Sequence, residues 1–185
     1  TQIDGYIGRK LTSAGDPATT GDEEYLRENS GELTLTGLEC SARRYLGDGP
    51  FSLGMQAAYV RGRQHDENEA SLDGVHARRI PPIFGRASLR YDASDSEEKI
   101  EWSEFSLVFA QEQDRLHPED VSDPRIDPDG TDNWATLNLD VGGRINEAFD
   151  WNVGLHNILD ERYRVHASGF DAPGFGLAFG LRGHF

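Results

Sequence analysis

The chain has 185 residues, of which 36% are hydrophobic, and it carries a formal net charge of -15 with a pI near 4.7. The length suits one domain, and the acidity disfavours a nucleic-acid partner, because phosphate backbones are bound by basic patches. Cys40 is the single cysteine, which excludes an intrachain disulfide and a thiolate zinc centre. No run approaches about 18 apolar residues, so no transmembrane helix is predicted.

Apolar and polar residues alternate with period two along most of the chain, whereas helical periodicity is hard to find. In one segment, Phe51 and Leu53 alternate with Ser52 and Gly54. This alternation is typical of strands, whose side chains point to opposite faces in turn. It predicts eight strands, in chain order at residues 1–11, 24–46, 51–63, 82–92, 99–112, 133–146, 150–159 and 174–185.

The second and fifth predicted strands change the parity of their apolar residues midway. The change falls near Gly37 in one strand and near Glu104 in the other. An extra residue in one strand of a pair shifts the alternation by one position. A β-bulge is therefore predicted at each place.

Short and long connections alternate along the chain. The short ones are residues 47–50, 92–98 and 145–149, and the long ones are residues 12–23, 64–81, 113–132 and 160–173. Tight turns at one end and long loops at the other are typical of outer-membrane barrels. The long loops hold 17 Asp and Glu residues against 6 Lys and Arg residues, which predicts an acidic rim.

Alternation alone is also compatible with a soluble sandwich or a lipocalin-like barrel. Two features favour an antiparallel transmembrane β-barrel with its apolar residues facing lipid. Most predicted strands reach the roughly nine to eleven residues that a tilted membrane-spanning strand needs. Aromatic residues also lie near the predicted strand ends, where an interfacial girdle belongs, at Tyr59, Tyr91, Trp102, Trp134 and Trp151.

The polar set of each strand would then face the lumen. Arg86, Arg90 and Arg144 belong to this set, and each needs a carboxylate partner if it is buried. Such partners are predicted among Asp92, Asp140 and Glu101. Arg78 and Arg79, in a long connection, are interpreted as loop charges.

Three groups of residues are candidates for a metal site or a catalytic site. His65 and His76 share an acidic loop, residues 123–133 are rich in Asp, and His166, Ser168 and Asp171 are close in sequence. None has the spacing of a metal-binding or hydrolase motif. The sequence therefore predicts no metal site, no cofactor and no enzymatic activity.

The last strand, GFGLAFGLRGHF, resembles the terminal strand of bacterial outer-membrane proteins. The resemblance implies that the barrel-assembly machinery recognises its apolar residues as an assembly signal. These residues are Phe175, Leu177, Phe179, Leu181 and Phe185.

Three blocks of sequence resemble the barrel of TonB-dependent receptors: GELTLTGLECSARRYL, RRIPPIFGRASLRYD, and NILDERY followed by a Pro-Gly pair and the terminal strand. The positions that carry the resemblance are Gly37, Glu39, Pro81, Pro82, Asn157, Leu159, Asp160, Tyr163, Pro173 and Gly174. One departure is Phe175, which stands where the family usually has Arg after the Pro-Gly pair. The blocks span roughly residues 30–185.

The resemblance implies an outer-membrane receptor that takes up a metal chelate, such as a ferric siderophore, or a similar scarce nutrient. It implies as partners the outer-membrane lipid and the TonB system, which would act through a plug domain. Such barrels have about 22 strands, so residues 1–185 are predicted to be a single segment from the C-terminal part of the barrel, without the plug. The start at Thr1, without a signal peptide, agrees with such a segment.

Two alternatives remain open at this stage. Eight strands could close on themselves into a small outer-membrane barrel with a structural or adhesive role, if residues 1–11 paired with residues 174–185. Otherwise the chain could be a soluble β-barrel binding module.

Overall fold

A computed structural model of the chain describes residues 1–4, 7–13, 24–29, 31–65, 71, 73–93 and 99–184, with the backbone alone for 7–13 and 24–29. The strands are β1 (Gln2–Asp4), β2 (Ile7–Ser13), β3 (Glu24–Asn29), β4 (Glu32–Tyr45), β5 (Phe51–His65), β6 (Val75–His76), β7 (Phe84–Asp92), β8 (Trp102–Ala110), β9 (Trp134–Asn146), β10 (Phe149–His156) and β11 (Gly176–Gly183). The described residues include one short helix, α1 (Pro118–Val121). None of their helices has the length and apolar character needed to cross a membrane.

The strands form an antiparallel sheet in the order β1-β4-β5-β7-β8-β9-β10-β11, with β6 paired to β5, while β2 and β3 form a separate pair. The first two predicted strands are thus each split, 1–11 into β1 and β2, and 24–46 into β3 and β4. In the described residues β1 pairs with β4, and β11 pairs with β10. The sheet is therefore open, and the closure required by a self-contained eight-stranded barrel is not formed.

The antiparallel order sorts the connections to two ends of the sheet. We call the end with residues 71, 73–83, 111–133 and 157–175 the loop end, and the end with residues 46–50, 93, 99–101 and 147–148 the turn end. From Tyr45 onward this confirms the predicted alternation of long and short connections, whereas residues 14–23 of the first predicted long connection lie outside the described residues.

The two faces of the sheet have opposite chemistry. On the face that we call outer, Leu53, Met55 and Phe105 are 46%, 54% and 45% exposed, whereas on the inner face Ser52 and Ser106 are 2% and 1% exposed. A water-soluble barrel would have the reverse arrangement, and apolar residues turned outward are what a lipid environment requires.

The predicted bulge near Gly37 is wrong. The register of β4 with β5 runs without a shift from Glu32 opposite His65 to Tyr45 opposite Ser52. The parity of the apolar residues changes because these strands, of 14 and 15 residues, are longer than a membrane crossing needs.

Beyond Gly37, toward the loop end, the chemistry of the two faces of β4 and β5 is inverted. Leu33 and Leu35 lie on the inner side, where Leu33 is buried, and Thr34 and Thr36 lie on the outer side. Side chains around Gly62 close a small apolar cluster there, since a methyl group at Gly62 would contact Ala77, Ile80 and Leu35. The part of the β4–β5 hairpin beyond Gly37 thus has an apolar core like that of a water-soluble protein.

The predicted bulge near Glu104 is also wrong, because the pairs of β8 with β7 and with β9 are continuous through it. Here the parity changes because Trp102 points to the inner face. Its ring lies 4.9 Å from the Arg90 guanidinium carbon and packs where Gly142 leaves space. The register does shift in β10, between Phe149 and Asp150.

The predicted aromatic girdle is confirmed in part. Tyr91 lies on the outer face at the turn end, with its ring centroid 5.4 Å from that of Phe51, and Trp151 lies on the same face between Gly143 and Leu181. Tyr59 lies in the middle of β5 rather than at its end, but it closes the outer apolar run that begins at Phe51. Trp102 and Trp134 follow the parity of the inner face and do not belong to a girdle.

We predict that Met55→Arg, at the centre of the outer apolar run of β5, destabilises the full-length barrel in phosphatidylcholine vesicles by about 2–4 kcal/mol, the cost of a cation at the bilayer midplane. Denaturant unfolding in vesicles measures this change. The matched control is Gln56→Arg, one residue along on the inner face, which should change stability much less. Equal losses for the two variants would contradict the assignment of the faces.

Candidate functional site: the loop end and the inner face

Two long connections are joined at the loop end by buried ion pairs. The Arg79 backbone amide donates to Asp120 at 2.9 Å, and Arg79 Nη2 lies 2.7 Å from Asp123 Oδ2. Arg78 contacts Glu119 at 2.6 Å and lies near both aspartates. Arg78 and Arg79 are thus loop charges, as interpreted from the sequence, and they also join two connections to each other.

The aspartates of this network are almost inaccessible to water, with side chains of Asp120 and Asp123 that are 1% and 3% exposed. A buried carboxylate is tolerated only when it is paired and hydrogen-bonded. Asp123 has three arginine partners, since Arg125 donates to both of its oxygens, at 2.9 and 2.8 Å, in addition to the contacts with Arg79 and Arg78. We call Arg78, Arg79, Asp120, Asp123 and Arg125 the loop latch, because it fixes residues 111–133 against residues 73–83.

His117 begins helix α1 next to the loop latch. Its Nδ1 accepts a hydrogen bond from the Glu119 amide at 3.0 Å, while its own amide donates to Asp120 at 3.3 Å. The side chain is buried, and Nε2 has no partner among the described residues. Burial lowers the pKa of His117, against the opposing carboxylates of Glu119 and Asp120, so the ring is neutral at pH 7.

The third long connection reaches residues 111–133 through His166. Its Nδ1 lies 2.9 Å from Thr131 Oγ1, and burial lowers the pKa of this histidine too. Gln113, which is fully buried, exchanges backbone hydrogen bonds with Thr131 and donates its side-chain amide to the Ile80 carbonyl at 2.6 Å. Residues 111–133 thus form the centre of the loop end.

An open cavity of about 460 Å³ lies between residues 111–133 and 157–175. One wall is aromatic, with the rings of Trp134 and Tyr163 4.2 Å apart and inclined by 35°. The rest is mainly acidic, including Asp127 and Asp129. Arg164 also lines it and is paired with Asp171 at 2.8 Å. The cavity can stack a flat group and attract positive charge.

The other residues considered for chemistry are not brought together. His65 contacts Asp73 at 2.9 Å, but His76 lies opposite Arg63 in the sheet. Ser168 donates to the Phe170 carbonyl, while His166 and Asp171 have the separate partners given above. Within the described part of the chain, no three His, Cys, Asp or Glu side chains are grouped to hold a metal ion.

The three inner-face arginines predicted to be paired, Arg86, Arg90 and Arg144, each contact a carboxylate, although not always the expected one. Arg90 contacts Asp92 at 2.7 Å and Arg144 contacts Glu101 at 3.1 Å. Arg86 instead contacts Glu104 at 2.6 Å. Glu104 lies two same-face steps along β8 from the position opposite Arg86, and Arg86 also donates to the intervening Ser106 at 3.2 Å. Asp140, the remaining predicted partner, lies 3.9 Å from His156 Nε2.

The family-motif positions at the end of the chain build the turn before β11. Asn157, with φ of 49°, accepts from the Glu161 amide at 2.9 Å and donates to the Glu161 and Pro173 carbonyls. Asp160 accepts from the Phe175 amide at 2.8 Å, and a side chain at Gly174 would collide with the Asp160 carboxylate. Leu159 is exposed, and Tyr163 carries the cavity wall.

The other motif positions lie on the inner face or lead into β7. Glu39 borders a hollow on the inner face with Phe84 and Arg86. Gly37 lies close to the Tyr59 carbonyl, which a side chain would crowd at 3.1 Å. Pro81 and Pro82 belong to the segment that precedes β7, where the Ile83 carbonyl accepts from the Gln111 amide. Of the residues predicted to signal assembly, Leu177, Phe179 and Leu181 are exposed on the outer face of β11, with Phe179 71% exposed. Phe175 is exposed just before β11, and Phe185 lies outside the described residues.

An open antiparallel sheet with an apolar outer face, a polar inner face and long loops at one end is a segment of an outer-membrane barrel. Residues 1–158 match the family described as TonB dependent receptor-like, beta-barrel. The chain therefore belongs to the TonB-dependent receptor family, whose members are outer-membrane proteins of Gram-negative bacteria. No curated protein sequence matches it.

Solved structures with the same fold include the copper transporter OprC, with 15% identity and a TM-score of 0.74 over 99% of this chain and 27% of that one. A mutant of the ferric enterobactin receptor PfeA from Pseudomonas aeruginosa has 17% identity and a TM-score of 0.66, covering 100% of this chain and 27% of that one. The ferric-catecholate import receptor Fiu from E. coli K12 has 15% identity and a TM-score of 0.62, covering 100% and 24%. The chain spans about a quarter of the length of each.

Acidification is predicted to loosen residues 111–133. His117 within this loop and His166, which packs against it, have lowered pKa values in the folded state but titrate near the ordinary value of about 6.5 once the loop unfolds. The unfolded loop then binds protons that the folded loop does not, so stability that is present above about pH 6.5 is lost as the pH falls below it. Amide hydrogen exchange of this loop, corrected for intrinsic rates, should rise more between pH 7.5 and about 5.5 than that of β7 and β8.

The matched variant is His117→Asn, which keeps an acceptor for the Glu119 amide and cannot titrate. It should reduce the pH dependence of exchange in residues 111–133. An unchanged pH dependence in this variant, or none in the parent, would show that His117 does not control the loop.

Proposed function

We propose that the chain is the C-terminal wall of an outer-membrane, TonB-dependent transporter that takes up a metal chelate, such as a ferric siderophore, or a similar scarce nutrient. The observation that carries the proposal is the division of the sheet into an apolar outer face and a polar, ion-paired inner face, in a chain that belongs to this receptor family. A polar inner face is what a solute pathway needs.

The open edges of the sheet support a role as part of a larger barrel. Along β4, residues 35–45 pair with β5 on one side and have no strand on the other among the described residues, and the outer edge of β11 is equally bare. Each unpaired backbone group in hydrocarbon costs several kcal/mol. We infer that further strands of the same receptor cover both edges, and that a plug domain supplies the contact with TonB.

The loop end is the proposed place of ligand capture. Its cavity offers the Trp134 and Tyr163 rings together with carboxylates. The neighbours of known structure are described as transporting copper or importing ferric catecholates, which supports a metal-containing ligand. The acidity of the rim favours a ligand without strong negative charge, because long-range fields act on approaching solutes.

Uptake by cells provides the test. Cells expressing the full-length receptor are offered complexes of ⁵⁵Fe and of radioactive copper, and accumulation is compared with that in a TonB-deficient strain. We expect TonB-dependent accumulation of at least one complex. The double variant Trp134→Ala, Tyr163→Ala should weaken its binding by about tenfold, the loss expected from removing one aromatic stacking partner. Accumulation that persists unchanged without TonB would count against the proposal.

The terminal strand is proposed as the signal for the barrel-assembly machinery. Replacing Phe185 by Ser should lower the amount of folded receptor in the outer membrane and leave ligand affinity per folded molecule unchanged. The control is Arg182→Gln on the inner face of the same strand. Membrane fractionation with heat-modifiable electrophoretic mobility measures the folded amount. Normal levels of the Phe185 variant would contradict this role.

A further inference from the structure

A group of cationic residues lies on the outer side of the sheet, immediately beyond the apolar run. Arg61 and Arg63 alternate along β5 on the outer face, and His76 lies opposite Arg63 in β6. Arg115 joins them from residues 111–133, since its Nη1 donates to the Tyr59 hydroxyl at 3.1 Å. Arg61, His76 and Arg115 line one narrow crevice. We call Arg61, Arg63, His76 and Arg115 the outer basic cluster.

The arginines of this cluster have no carboxylate partner within the part of the chain that the structure describes. Arg63 donates to the Gly74 carbonyl at 2.5 Å, and Arg115 to the Gln113 side-chain oxygen at 3.3 Å. By contrast, Arg86, Arg90 and Arg144 on the inner face and the arginines of the loop latch are paired with Asp or Glu. Unneutralised guanidinium groups side by side are unexpected in a chain with a net charge of -15.

The electrostatic effect of the cluster is evident at His76. Burial is the first cause that lowers the pKa of His76, and the positive charges of Arg63, Arg115 and Arg61 lower it further. Asp114 opposes this effect but does not cancel it. Among the described residues, the charges that act on His76 in the crevice are therefore mainly positive, although the chain as a whole is acidic.

The position of the cluster relative to the apolar run decides what can reach it. The run on β5 extends from Phe51 to Tyr59, which at about 3.3 Å per residue and a tilt of about 40° spans roughly 20 Å across the membrane. Arg61 and Arg63 follow directly, at the side where the long loops emerge. This is the depth at which lipid headgroups lie, with Tyr59 at the boundary.

We propose that the outer basic cluster binds the phosphate groups of an anionic lipid in the outer leaflet of the membrane. Guanidinium groups match phosphate oxygens in a two-pronged geometry and are the side chains of choice for this contact. The apolar residues below, including Met55 and Leu38, then contact the acyl chains of the same lipid. The proposal rests on the outer-membrane location given above, but not on transport.

Binding of a phosphorylated glycolipid to the purified full-length receptor tests the proposal. The probe is lipid A with two phosphates, titrated in a nonionic detergent and followed by native mass spectrometry. The double variant Arg61→Gln, Arg63→Gln should bind about 25-fold more weakly, since each surface arginine contributes about a fivefold factor. The matched control is Arg44→Gln, an exposed arginine of the same face at the turn end, which should bind as the parent does.

Three further measurements keep the outcome clear. Arg115→Gln, outside the strands, should lose about fivefold and serves if the double variant does not fold. Dephosphorylated lipid A should bind the parent weakly and show no difference between variants. Equal loss in the Arg44 variant, tight binding of the dephosphorylated lipid, or full displacement by millimolar inorganic phosphate would each overturn the assignment to lipid phosphate. Failure of nutrient uptake would leave this result untouched, whereas a receptor that is monodisperse without detergent would remove the location on which it rests.

Discussion

A strand in hydrocarbon can satisfy its backbone only through neighbouring strands, because no water is there to replace a missing hydrogen bond. The rest of this molecule depends on that constraint. It requires a continuous antiparallel sheet, and the sheet then leaves the side chains to adapt to two different surroundings. Leu53 and Phe105 lie on the apolar outer face, while Ser52, Ser106 and the Arg86–Glu104 pair lie on the polar inner face. Apolar burial in a core, the usual source of stability in water, is almost absent from the described residues.

The loops at the loop end are held in place mainly by buried polar and charged groups. There the chain is in water and could form a conventional core, but the central buried groups are Asp120, Asp123, His117 and Gln113 rather than leucines. Buried charge is costly unless each oxygen has a partner, and the loop latch provides these partners from two connections at once. The ion pairs of the loop latch fix the loops in one arrangement without exposing an apolar surface that would bind lipid or other proteins. A rigid polar rim is well suited to hold the aromatic wall of the cavity in place.

The sequence alone predicts the features that depend on the two-residue alternation of apolar and polar side chains. The strands from Phe51 onward, the outer face, the alternation of loops and turns, and two of the inner ion pairs followed from alternation alone. Misreadings arose where the environment changes along a strand. The parity change near Gly37 predicts a bulge, but β4 and β5 are longer than a membrane crossing needs and their faces are inverted beyond that point. The parity change near Glu104 also predicts a bulge, but it arises because Trp102 faces inward, where Gly142 leaves space for its ring. The loop latch could not be foreseen, because Arg79 and Asp123 are 44 positions apart and no local pattern links them.

The inversion of the β4–β5 hairpin also determines how deep the protein sits. From Phe51 to Tyr59 the side chains on the outer face of β5 are compatible with a hydrocarbon environment, whereas from Arg61 toward the loop end they require water or ions. A shift of the barrel by two residues toward the turn end corresponds to about 5 Å and would place the Arg61 guanidinium group among the acyl chains. An equal shift in the opposite direction would expose apolar side chains of the outer run to water. The boundary between Tyr59 and Arg61 therefore fixes the position of the barrel along the membrane normal.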